Sequence, residues 1–212
     1  MSKPPDNIYL KRLIHIDNLD YILTIGKLTC LNHSENDSNY TNIGDTTLIR
    51  SRGTRDIPVN PGGNFSDYVA FYFGARPPML YNIQNGFNQV TKRAPETIIY
   101  LVTSFIEVKK SRRPFVFTDG HAYHMMSQFY NKESDLKEVD WNAAKLFRWN
   151  DTEEDPDRKR RKQAEFLVYK ELPVGALVAI VVYNNDAKSK VFSIFEKYDS
   201  ALDVVVKPNW YY

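Results

Sequence analysis

The segment TIIYLVTSF, residues 97–105, constrains the fold more than any other stretch of the chain. A nearly continuous apolar run of strand length, with β-branched and aromatic residues, fits a strand buried on both faces. Such a strand needs sheet neighbours and cover above and below. Candidate neighbours are DYVAFYF (67–73), the opening of PFVFTDGHAY (114–123), AEFLVY (164–169), ALVAIVVY (176–183) and ALDVVVKP (201–208). Helical patterning is scarcer. Leu19, Ile22 and Leu23 recur at helical spacing between Asp17, suited to an N-cap, and Gly26, suited to a helix end. Strands outnumber helices without alternating regularly, which predicts an α+β chain rather than a doubly wound sheet. At 212 residues the expectation is one domain, 1–212.

The segments between these elements are polar and irregular. CLNHSENDSNYTNIGDT (30–46) reads as a long surface loop, and RGTRDIPVNPGG (52–63) as a sharply turning connection opened by Arg52. PFVFTDGHAY reads as a short strand passing into a polar turn. Residues 124–149 read as helical or irregular, with Phe129, Tyr130, Trp141, Phe147 and Trp149 spread through them.

Cys30 is the only cysteine, which excludes an intramolecular disulfide framework and a multi-cysteine zinc site. No segment approaches the length of a membrane span and no signal-peptide pattern opens the chain, so a cytoplasmic protein is expected. The net charge is only +2, yet cations bunch at KKSRR (109–113) and RKRRK (158–162), where a local positive field is possible.

Familiar catalytic patterns are absent. There is no GxGxxG, GxxxxGK[ST], HExxH or GxSxG, which removes support for a Rossmann dehydrogenase, a P-loop enzyme, a zincin and a serine hydrolase. His121 and His124 lack a third nearby ligand, so no metal is expected. What remains is a set of polar residues bordering apolar segments. His15 precedes a helix start, Arg52 opens a loop, Asp119 and His121 close a strand, and Glu165 follows five consecutive cations at the start of another. Each has a bland explanation as cap partner, surface cation, turn residue or part of a charged face; together they would make one cleft.

The strings LIHIDNLDYIL (13–23), NIGDTTLIRSRGTRDIPVNPGG (42–63), DYVAFYFGARPPMLYNIQNG (67–86), PFVFTDGHAY (114–123), DTEEDPDRKRRKQAEFLVY (151–169) and WYY (210–212) resemble, in order and spacing, the DarT family of DNA ADP-ribosyltransferase toxins. The resemblance implies an ADP-ribosyltransferase-like fold: two small antiparallel sheets at an angle, flanked by helices, with an NAD cleft between them. It implies transfer of ADP-ribose from NAD to a base of single-stranded DNA, thymidine in preference to guanosine. It also implies a macrodomain antitoxin of the DarG type as partner, and no membrane. By position, the catalytic residues fall on Arg52, Glu165 and His121. NAD contacts fall on His15, Asn18 and Tyr72, and on Arg12, where some members carry a histidine. Tyr123, Arg158 and Arg160 are the expected substrate-binding residues, with Glu165 at a strand edge and the neighbouring cations facing the polyanionic DNA.

Cleavage of the nicotinamide–ribose bond develops positive charge on the sugar, so a carboxylate there favours the transition state. Glu165 suits that role and also the acceptance of a base N–H proton. Arg52 suits pyrophosphate binding or stabilisation of the deprotonated base. Phe71, Tyr72 and Tyr123 offer flat surfaces, while strand alternation would send one of Phe71 and Tyr72 into the core. The competing readings are an ADP-ribosyltransferase of protein or RNA, and a nucleic-acid-binding module without catalysis.

Overall fold

The computed structural model describes residues 3–212. Its ten strands are β1 (Tyr9–His15), β2 (Lys27–Thr29), β3 (Tyr68–Tyr72), β4 (Ile98–Ser104), β5 (Phe115–His121), β6 (Phe129–Tyr130), β7 (Ala164–Tyr169), β8 (Glu171–Pro173), β9 (Leu177–Val182) and β10 (Asp203–Val206). Its helices are α1 (Leu19–Ile25), α2 (Thr46–Gly53), α3 (Pro78–Asn85), α4 (Phe105–Lys110), α5 (Trp141–Lys145), α6 (Arg158–Lys162) and α7 (Asn185–Phe195).

The apolar run forms β4, and its residues from Ile98 to Thr103 are all buried. Their side chains alternate between two cores, as a strand covered on both faces requires. Ile99 and Leu101 join the larger core with Leu10, Ile14, Phe71, Phe117 and Phe166, roofed by Val108 of α4 and Val191 of α7. Ile98, Tyr100 and Val102 face the other way, onto Leu80 and Ile83 of α3 and onto Tyr211.

The strand order is β10-β9-β4-β1-β3-β7-β5-β6, with β2 and β8 forming a separate pair. Every pairing is antiparallel except β10 on β9. The fold is α+β as expected, but the ladder is continuous across eight strands rather than split into two sheets. The reason is one junction. β1 and β3 are joined through the single pair Lys11↔Tyr72, whereas β1 and β4 pair along seven residues. Beyond that pair the two four-stranded halves part. The Arg12 guanidinium bridges the seam by donating to the Ala70 carbonyl at 3.0 Å.

Three local readings change. Residues 46–53 are helical, so Arg52 lies in the last turn of α2 rather than at the opening of a loop; Asp45 caps the helix by accepting from Leu48 N–H at 3.0 Å, and none of its residues is buried. Strand β5 continues through Thr118 to His121 across a register shift. Finally, β7 lies between β3 and β5, so Glu165 is on an interior strand, not an edge.

The basic run 158–162 is α6, and all of its charges but that of exposed Lys159 are taken up inside the protein. Arg158 pairs with Asp155, Arg160 with Asp157 and Asp119, and Arg161 with Asp140 and Asp155, while Lys162 is buried. The 109–113 cluster is largely matched as well: Lys109 to Glu133, Lys110 to Glu107, Arg113 to Glu171. It precedes β5, whose seven residues end at His121, and an extended strand of that length spans about 20 Å. Of the cationic DNA track expected from these two clusters, Arg112 and Lys159 alone have no carboxylate within 4 Å among the described residues and are not buried. Among the described residues no helix is long and apolar enough to cross a membrane.

Candidate active site

A cavity of about 340 Å³ opens where the two sheet halves diverge, within the size range of small-molecule sites. Arg12 and Leu13 of β1, Ala70 and Tyr72 of β3, Arg52 of α2, His121 of β5 and Glu165 of β7 line it, with Asn18 on the α1 side and Met79 on the α3 side.

Glu165 is the best-fixed group in it. Its side chain is 2 % exposed, and Oε2 accepts from the Arg52 guanidinium at 2.6 Å. Oε1 accepts from the Ala122 backbone N–H at 3.1 Å, and the Glu165 N–H donates to the Thr118 hydroxyl at 3.1 Å. That hydroxyl in turn donates to the Gly120 carbonyl at 2.7 Å. Charge-assisted bonds to both oxygens hold the carboxylate in one orientation, the preorganisation that a catalytic base needs.

Burial works against the charge on Arg52, but the Glu165 carboxylate outweighs it and holds the guanidinium pKa above its ordinary value. Arg52 also lies over the Phe65 ring, 4.8 Å from its centroid. Burial lowers the pKa of His121 against the opposing pull of Glu165, so the imidazole is neutral at pH 7. Burial, and then the charge of Glu165, raise the pKa of Tyr72, which keeps its hydroxyl protonated; that hydroxyl points to the Met79 sulfur at 3.7 Å.

Of the ten residues singled out from the sequence, the structure brings Arg52, Glu165, His121, Tyr72, Arg12 and Asn18 to one cavity. Asn18 has both amide atoms engaged with Thr41, at 3.0 and 2.8 Å, and so pins the loop that forms one wall. Phe71 points into the core at 1 % exposure, the alternation anticipated for it and Tyr72. His15 does not line the cavity: its Nδ1 accepts from Asp17 N–H at 3.3 Å and caps the turn before α1. Tyr123 sits outside the cavity, two residues beyond His121, with the Arg55 guanidinium 5.5 Å from its ring centroid and bonded to its carbonyl. Arg158 and Arg160 are committed to the ion pairs described above. Sequence reasoning missed Thr118, Ala122 and Met79. The one available signal was a threonine interrupting an apolar strand in FVFTDGH.

A seam cleft that holds a buried carboxylate paired with a guanidinium is a site suited to an ADP-ribosyltransferase. The family model described as "ssDNA thymidine ADP-ribosyltransferase, DarT" matches residues 12–212, and the chain belongs to the DarT family of DNA ADP-ribosyltransferases. A DNA ADP-ribosyl transferase of Escherichia coli O127:H6 is 32% identical over 211 residues, spanning 100% of this chain and 96% of that protein. The structure of Thermus sp. 2.9 DarT in complex with ADP-ribosylated ssDNA superposes with a TM-score of 0.92 at 34% identity, covering 100% of this chain and 99% of that one. The same Thermus protein in complex with NAD+ gives a TM-score of 0.87 at 33% identity, over 99% and 100% of the two chains. The residues here fit that dinucleotide: a mainly apolar cleft holds two guanidinium groups suited to phosphate, an aromatic wall at Tyr72 and a fixed carboxylate.

The Arg52 assignment is tested within its own segment. Arg50 is exposed and outside the cavity, and Arg55 acts on the Tyr123 loop. Arg52→Ala should lower DNA modification by a factor of about 10² to 10³, the usual cost of one transition-state donor. Arg50→Ala should stay within about twofold, as a surface change does. Arg55→Ala should fall between them. If Arg50→Ala or Arg55→Ala were the most damaging of the three, Arg52 would not be the catalytic cation.

Proposed function

We propose that the chain transfers ADP-ribose from NAD+ to thymine bases of single-stranded DNA and releases nicotinamide. The observation that carries this reading is the Arg52–Glu165 pair at the floor of the cleft, with both Glu165 oxygens held and His121 and Tyr72 on the walls. Bound NAD+ supplies the ADP-ribose group, with nicotinamide as its leaving group. Glu165 accepts the weakly acidic N–H proton of the target base. The base nitrogen then forms the new bond to the ribose carbon, as the bond from that carbon to the nicotinamide nitrogen breaks and its electron pair leaves with neutral nicotinamide. As Glu165 takes the proton, Arg52 loses its counter-charge and becomes the nearest cation for the negative charge growing on the base. The unprotonated carboxylate also favours positive charge developing on the sugar. Tyr72, with Arg12 and Asn18, bounds the dinucleotide, and neutral His121 is a hydrogen-bond partner for the substrate at the cleft mouth.

Thymine is favoured by the family's description and by the FTDGHAY and IGDTTLIRSRG segments; guanine is the runner-up. An unpaired base also escapes the unpairing cost of a duplex. A DarG-like macrodomain protein that removes the modification is the partner this reading implies. The test offers NAD+ with four oligonucleotides, each lacking one base, as single strands and as duplexes, and follows both labelled DNA and free nicotinamide. Product should vanish only when thymidine is absent and should be greater on single strands. Loss only without guanosine would move the assignment to guanine, and preferential labelling of duplex would overturn the strand preference.

A further inference from the structure

With most of clusters 109–113 and 158–162 paired to acids or buried, the DNA flanking the target base must draw on the cations left free, Lys159 among them. Six cations rest on aromatic rings with no carboxylate within 4 Å among the described residues, and two of them, Arg76 and Lys159, share one aromatic cluster. Arg76 lies between Phe147 and Tyr212, 4.9 and 4.4 Å from their centroids, and Lys159 lies 5.5 Å over Trp149. The rings are joined: Tyr81 meets Trp149 edge-on at 5.8 Å and Tyr212 at 5.1 Å, and the Trp149 indole N–H donates to the Tyr212 hydroxyl at 2.5 Å.

This face is open and is built with effort. Phe147 is 52% exposed, and Lys159 is exposed too. Arg76 is held at φ 53°, a left-handed conformation that costs a non-glycine residue about 1–2 kcal/mol. The Tyr212 hydroxyl on its carbonyl at 2.7 Å and its own N–H on the Tyr100 hydroxyl at 3.2 Å keep it there. Its buried Nε has no hydrogen-bond partner. The face also borders the active site, since α6, which carries Lys159, packs on β5, which carries His121, with Arg160 of α6 paired to Asp119 of β5 at 3.0 Å. Cations beside ring faces that all four bases can stack on are what a single strand requires, and a folded protein partner would need shape complementarity instead.

We propose that the Arg76–Phe147–Trp149–Lys159 face, with Tyr81 and Tyr212 beneath it, docks the nucleotides that flank the modified base of single-stranded DNA. The proposal rests on the DNA-modifying reading of the cleft. It makes the face a determinant of KM for long substrates, outside the groups that perform the transfer.

The test compares kcat/KM on a trimer centred on the target base with that on nonamers extended to the 5′ side, the 3′ side or both. Wild-type protein should gain about tenfold on at least one extension, mostly through KM, from one or two stacked bases. In the Phe147→Ala/Lys159→Glu double variant the nonamer-to-trimer ratio should collapse toward one, and the dependence of KM on salt should weaken. Ultraviolet cross-linking of a nonamer to wild-type protein, read by peptide mass spectrometry, should mark the segment containing Phe147 and Trp149 whether or not the variant folds. A length gain unchanged in a folded double variant, no length gain in the wild type, or cross-links confined to residues 109–113 would overturn the docking face while leaving the cleft chemistry standing. Failure of the wild-type protein to label any oligonucleotide would remove the DNA-modifying reading itself, and the docking face with it.

Discussion

Glu165→Gln is expected to fold and to lose DNA modification by a factor of about 10² to 10³ or more. The amide keeps one oxygen that can accept from Arg52 or from Ala122 N–H, and it keeps the volume, so packing around the buried side chain is preserved. It cannot accept the base proton and offers no negative charge to the ribose. Glu165→Ala is the poorer experiment. A strand-edge acid could be deleted cheaply, but Glu165 is buried on an interior strand, and its loss strands a guanidinium that is itself only 17% exposed. Breaking such a pair costs up to about 3 kcal/mol, toward the low end for buried pairs because the arginine keeps some solvent. Loss of activity in Glu165→Ala therefore mixes chemistry with folding. Melting temperature and labelling of an oligonucleotide, measured side by side for both variants, separate the two. A Gln variant that melts near the wild type and modifies DNA at near-normal rate would remove Glu165 from the mechanism.

What the sequence disclosed follows from how local each cause was. Strand β4 was legible because burial on both faces writes itself into consecutive residues, and the end of α1 because Gly26 alone supplies the left-handed φ of 70°. Helix α2 was not legible. It buries no side chain, so no apolar stripe marks it, and its start rests on one capping aspartate. That omission put Arg52 on a loop, although the residue does line the cavity. The Arg52–Glu165 contact joins positions 113 residues apart and has no signature in spacing; only a whole-chain resemblance placed both in one site. The charge run misled for the opposite reason. Its density suggested a surface for DNA, while two of its carboxylate partners, Asp155 and Asp157, stand immediately before it in the sequence. Runs of cations preceded at helical spacing by acids are better read as ion-paired helices.

The least legible residue of that run, Lys162, helps to hold the contact whose disruption has the largest expected effect on stability. It is 2 % exposed, and its ammonium donates to the carbonyls of Ala75 at 2.7 Å and Ala144 at 2.8 Å. Lys11, 8 % exposed, donates to Phe73 O at 2.9 Å and Tyr9 O at 3.0 Å. Two buried lysines with no carboxylate partner among the described residues thus clamp residues 73–75, immediately after Tyr72. Between the clamped carbonyls, Gly74 passes so close to the α5 backbone that a Cβ there would stand 1.7 Å from Ala144 O and 3.1 Å from Lys162 Nζ. Backbone cannot move aside as a side chain can. Gly74→Ala should therefore destabilise by at least about 3 kcal/mol, at or beyond the usual cost of overpacking, out of a total stability of about 5–15 kcal/mol.

The same clamp sets a pH dependence of unusual sign. Burial, then the charges of Lys11 and Arg76, lower the Lys162 pKa from 10.5 to about 7; burial, then Lys207, lower that of Lys11 to about 8. Between those values and 10.5 the unfolded chain binds more protons than the folded one, so stability rises with pH across that window. The limiting slope is about 1.4 kcal/mol per pH unit for each lysine. A neutral amine still has two N–H donors for its two carbonyls, so the clamp survives deprotonation. Above pH 10 the buried tyrosines, whose pKa values burial raises, reverse the trend because unfolding lets them ionise. Denaturant midpoints taken between pH 7 and 9.5 should climb in the wild type. In Lys162→Met they should lie lower, by about 1–3 kcal/mol for the two carbonyls left unpaired, and should climb less steeply. A wild-type midpoint that is flat or falls over that interval would show that Lys162 and Lys11 keep ordinary proton affinities in the fold, and that the clamp is held by their charges.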